Sequence, residues 1–78
     1  MLCYSPAITP KTVHRLRIEP AREGYYVFVW EKEASRYPER DYLEDSLVEA
    51  KARCADNFGV PVKAWDEYDE SAPLSRRT

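Results

Sequence analysis

The sequence predicts a small α+β domain, β-β-α-β in order, in which one helix packs on one face of an antiparallel hairpin. Three observations predict it. Gly24–Tyr25–Tyr26–Val27–Phe28–Val29–Trp30 places aromatic or β-branched residues in an unbroken run after a glycine, the strongest strand signal in the chain. His14–Arg15–Leu16–Arg17–Ile18–Glu19 alternates: His14, Leu16 and Ile18 point one way, Arg15, Arg17 and Glu19 the other, as in a half-buried strand. Leu47, Ala50, Cys54 and Phe58 recur at helical steps and mark one face of a helix.

Residues 1–11 contain Pro6 and Pro10 and no periodic pattern, so they read as an extended N-terminal arm. Residues 12–68 form the α+β domain. Pro20–Gly24 punctuates the turn into the second strand, which runs from about Tyr25 to Lys32. Both faces of that strand are apolar, Tyr25/Val27/Val29 and Tyr26/Phe28/Trp30, which suits a central strand or one with a face in an interface. The preferred register sets Ile18 opposite Tyr26, Leu16 opposite Phe28 and His14 opposite Trp30, with a one-residue slip as the alternative. The expected core is therefore His14, Leu16, Ile18, Tyr26, Phe28 and Trp30 under Leu47, Ala50, Cys54 and Phe58.

Glu33–Asp45 is a long polar connection, with the end of a strand or a helical turn near Asp41–Leu43. Ser46–Leu47–Val48–Glu49 reads as a capping box, with Asp45 as the competing cap. Gly59 stands where a left-handed C-cap belongs and Pro61 cannot continue a helix, so the helix spans about Leu47–Asn57. Val60–Trp65 is a third strand that Pro61 demotes to an edge or to irregular structure. Residues 69–78 read as a flexible C-terminal tail.

Length and composition narrow the class. A chain of 78 residues holds one domain with a small core. Hydrophobic residues at 44% and charged ones at 33% suit a folded soluble domain rather than a disordered one. The net charge of −2 exerts no general pull on nucleic acid or anionic lipid. It is unevenly spread: residues 1–40 carry seven Lys/Arg against five Asp/Glu and residues 41–78 five against nine, a mildly basic hairpin beside an acidic helix and tail. No apolar run reaches the length of a membrane span. Cys3 and Cys54 form no framework and no C-x-x-C, so two reduced thiols in a cytoplasmic, bacterial-style protein are expected.

Catalytic patterns are missing. His14 is the single histidine and has no orienting partner or fellow ligand at short spacing. Asp66, Glu67, Asp69 and Glu70 lack the ligand-and-glycine order of a calcium loop and read as solvated acid. Two glycines cannot build a phosphate loop. The helical phase of Cys54 puts it in the core rather than in a reactive setting. No metal, cofactor or small-molecule substrate is indicated.

Ser46–Leu47–Val48–Glu49–Ala50–Lys51, followed by Phe58–Gly59–Val60, resembles short bacterial proteins of unknown function that set an aromatic hairpin before a capped helix. That resemblance covers residues 25–65 and implies a fold with no activity attached. The hairpin-then-helix order is also similar to antitoxins of the HicB type. The Pro-Gly and second glycine of their hairpin-to-helix connection are absent here.

One helix covers one sheet face, so the other face, carrying Arg15, Arg17, Tyr25, Val27 and Val29, is the expected interaction surface. The expected function is a non-enzymatic protein–protein interaction module of accessory or inhibitor type, a homodimer or bound to another protein. The alternative is a single-stranded nucleic-acid binder using the same basic-aromatic face. An antitoxin-like role stands behind both.

Overall fold

The computed structural model describes residues 1–76. Its strands are β1 (Leu2–Pro6), β2 (Arg15–Ala21), β3 (Gly24–Trp30), β4 (Arg40–Glu44) and β5 (Trp65–Asp69). One helix, α1 (Leu47–Phe58), precedes β5, and a 3-10 turn (Leu74–Arg76) follows it. The strands form one antiparallel sheet in the order β4-β3-β2-β1-β5, with α1 on one face, the α+β domain the sequence predicts.

The β2–β3 register pairs Leu16 with Val29 and Ile18 with Val27, one residue away from the preferred pairing. Because side chains alternate, that slip changes which residues share a face. The face under α1 holds Leu16, Ile18, Val27 and Val29, which pack with Ala50 and Cys54 and with Val13 and Val60 at the rim. Tyr26, Phe28 and Trp30 lie on the opposite face with Arg15, Arg17 and Glu19, and His14 is exposed outside the core. The physical reason is shape. Four branched aliphatic side chains suit close approach of a helix whose fully buried positions are alanine and cysteine, whereas three aromatic rings would hold it off. Each such aliphatic contributes about 1.5–3 kcal/mol by leaving water.

The helix follows its sequence signals. Ser46, in extended backbone, accepts at its Oγ from the Glu49 amide at 3.1 Å. Gly59 caps the far end at φ 72°, its amide donating to the Ala55 carbonyl at 3.1 Å. Leu47 and Phe58 pack half-buried beside Ala50 and Cys54, so the expected stripe faces the sheet. Gly24 has a different duty. Its φ is 149°, and a Cβ there would stand 2.2 Å from the Glu44 carbonyl oxygen, so it lets the end of β4 lie against β3.

Three expectations about the chain's margins are corrected. The N-terminal arm contains β1, inserted between β2 and β5, with Cys3 fully buried. Pro6 hid it, yet it stands at the terminus of the strand, opposite Trp65, where its missing amide removes no donor from the strand's interior. The third strand expected at Val60–Trp65 begins only at Trp65. Pro61 starts a turn in which the Ala64 amide donates to the Pro61 carbonyl at 2.9 Å, and Val60 is buried below the helix end. The tail expected to be flexible from residue 69 continues past β5 as a strap over the second face, through residue 76. The remainder of that tail, residues 77–78, lies outside the described residues.

Candidate interaction surface

The five residues expected to share one face are divided by the register. Val27 and Val29 are fully buried under α1, and Tyr25 packs half-buried at the edge of the same core. Arg15 and Arg17 lie on the opposite face. Arg15 is exposed and holds its guanidinium 4.5 Å above the Trp30 ring. Arg17 is 4% exposed. The basic-aromatic platform of Arg15, Arg17 and Tyr25 imagined for nucleic acid is thus dispersed: Tyr25 packs on the helix side, and of the two arginines on the opposite face Arg17 is buried.

Arg17 is sealed by Glu19 and the strap. Arg17 Nη2 donates to Glu19 Oε1 at 2.6 Å, and both side chains are buried. The Leu74 amide donates to the same Oε1 at 2.9 Å and the Ser75 amide to Oε2 at 3.0 Å. Arg17 also reaches the Ala72 carbonyl at 3.3 Å and Glu70 Oε2 at 3.5 Å. A carboxylate buried without partners would cost several kcal/mol, and here two main-chain donors and a guanidinium replace its water. Arg17 Nε is buried without a hydrogen-bond partner among the described residues.

Beside this sealed pair the second face stays partly open. Phe28, Tyr37, Pro38 and Leu74 line an open groove of about 430 Å³. The Phe28 ring stacks on Tyr26 with centroids 5.5 Å apart, and Tyr26 pairs across the ladder with Leu43. Leu43 is 47% exposed and Tyr37 51%. The result is one apolar row from the edge of the sheet to the strap. The Tyr26 hydroxyl donates to Glu23 Oε2 at 2.6 Å. That bond pulls the Glu23 carboxyl below its ordinary range and pushes the Tyr26 phenol up.

Sequence reasoning missed this row as a surface. The Tyr26/Phe28 alternation was visible, but the slipped register sent it to the core. Leu43 carried only a weak strand-end signal, and nothing local placed Tyr37 or Leu74 near Phe28. Other reactive groups do not converge. Cys3 and Cys54 are free thiols on opposite faces of the sheet. Burial pushes the Cys54 thiol up to about 12 and raises that of Cys3, where Arg17 opposes the shift. Asp66 lies on one face of β5, Glu67 and Asp69 on the other, and Glu70 turns to Arg17. Among the described residues no group of three or more His, Cys, Asp or Glu could hold a metal ion, and no helix is long and apolar enough to cross a membrane.

No family model matches this chain, and neither a curated protein nor a solved structure matches it.

Proposed function

We propose that the protein is a non-enzymatic protein–protein interaction module. Its contact surface is Leu43, Tyr26 and Tyr37 on the face away from α1, with the buried Phe28 as their floor. The observation that carries this reading is that row itself. Leu43 and Tyr37 are exposed and Tyr26 half-buried beside a groove, over a Phe28 that is itself buried against the sheet, while Leu16, Ile18, Val27 and Val29 of the other face are spent on the core. Tyrosine and phenylalanine are the types that interface centres enrich. A cytoplasmic setting fits the two free thiols.

The test compares wild type with a Tyr26→Ser/Leu43→Glu variant as bait in the native host. Both positions are at least partly solvent-exposed, so the variant should keep its helix content and unfolding midpoint. Proteins retained by wild type and lost by the variant support the reading. Identical retained sets from two equally folded baits contradict it.

A further inference from the structure

We propose that the outer edge of β4 takes an extended segment of a partner protein as an added strand, with an apolar residue against Leu43 and Tyr26 and a lysine or arginine two residues further on against Asp41. This rests on the interaction-surface reading and names the partner's chemistry.

β4 is the last strand of the sheet, so one of its edges is unpaired. The opposite edge, β5, exposes Asp66, Glu67 and Asp69 and no large apolar side chain, the charged composition that discourages pairing. β4 differs. Its Leu43 is exposed on the same face as the Tyr26–Phe28 stack, so an added strand would extend the apolar row by one column. Strand addition draws affinity from main-chain hydrogen bonds and specificity from alternate side chains.

The charges along β4 specify the second element. Arg40 is paired with Glu31 at 2.6 Å, and Glu44 is paired with Arg53. The Asp41 side chain is exposed and has no hydrogen bond or ion pair among the described residues. It shares its face with Leu43, two residues away, and its charge acts on the Tyr26 hydroxyl that Glu23 already holds. Arg22 lies beside Glu23, which leaves Asp41 as the uncompensated charge of the row. In an antiparallel addition the partner residue opposite Leu43 precedes by two the residue opposite Asp41. The recognised pattern is therefore apolar, any residue, basic.

A second copy of this chain fits less well. In a two-fold antiparallel pairing of β4 centred on Tyr42, Asp41 would face Leu43 of the other copy. Centred on Asp41 it would face itself, and centred on Leu43 it would face Asp45. Each arrangement leaves the charge unmatched or repelled.

The test titrates the full chain with a blocked heptapeptide of threonines that carries leucine third and lysine fifth. The expected result is hydrogen-exchange protection of the amides of residues 40–44 together with NMR shifts at Tyr26 and Leu43. Replacing the peptide lysine by glutamate should weaken binding at least tenfold, and Asp41→Lys should reverse that preference. Equal binding of both peptides, or no shift at millimolar peptide, overturns the proposal. Shifts at Tyr26 and Tyr37 without protection of β4 overturn strand addition while leaving the aromatic row as a contact surface. A wild-type dimer whose β4 amides are protected before peptide is added overturns it in favour of self-pairing.

Discussion

On the helix side of the sheet, Leu16, Ile18, Val27 and Val29 meet Ala50 and Cys54 in a wholly apolar layer, whereas on the other side β2 presents Arg17 and Glu19 to a strap of main chain. The first closure is non-directional. It depends on area and volume and tolerates substitutions that conserve both. The second is directional, because two amides and a guanidinium must meet one carboxylate. It cannot lose one member without stranding the other. A small domain with one helix has thus closed a second face without a second apolar layer. Beside the strap, Leu43, Tyr26 and Tyr37 stay at least partly open to solvent.

That comparison is broken most forcefully at Glu19. Glu19→Ala strands a buried guanidinium whose hydrogen bonds to the Ala72 carbonyl and Glu70 are long, at 3.3 and 3.5 Å. It should cost about 3 kcal/mol, the lower end for a broken buried pair. A domain of this size has a total stability of only about 4–12 kcal/mol, so urea denaturation should show a large shift of the midpoint. Arg17→Met with Glu19→Leu removes both charges and should recover most of the loss. On the helix side, Ile18→Ala should cost about 2–4 kcal/mol through lost burial and a residual cavity. No second substitution of a neighbouring polar group should rescue it. If Glu19→Ala costs under about 0.5 kcal/mol, the polar closure is not holding the face.

A smaller effect separates the faces through their thiols. Burial raises both, from an ordinary value of 9.0, to about 12 at Cys54 and less decisively at Cys3, where Arg17 opposes it. A raised thiol keeps its proton in the folded state after the unfolded chain has lost it. Its stabilisation is complete below about pH 9 and is lost progressively as pH rises toward 12. Tyr68, raised by burial, acts in the same direction. Unfolding midpoints should therefore fall between pH 8.5 and 10.5. Midpoints that stay constant over that range would contradict the raised thiols.

Much of the helix side was legible in advance because its signals are local. Ser46, Gly59 and the Leu47–Phe58 stripe act within one or two turns, and the run in β3 announces a central strand. The second face was not legible, for two physical reasons. Both faces of β3 are apolar, so hydrophobic pattern could not choose between registers one residue apart, and the choice fell to helix packing. Two partners of Glu19 are backbone amides more than fifty residues away, and an amide carries no residue identity that a sequence could display. Arg15 and Arg17 looked alike on paper. One stacks in solvent on Trp30, and the other is enclosed by a strap that polar composition had marked as loose.

Native-state hydrogen exchange at the Leu74 and Ser75 amides tests the polar closure most directly, since the acceptor found for both is the Glu19 carboxylate. Both amides should exchange well below the random-coil rate in wild type. In Glu19→Ala they should approach that rate while the amides of Val27 and Val29 stay protected. Random-coil exchange at Leu74 and Ser75 in the wild-type protein would contradict the account, because the second face would then have no strap.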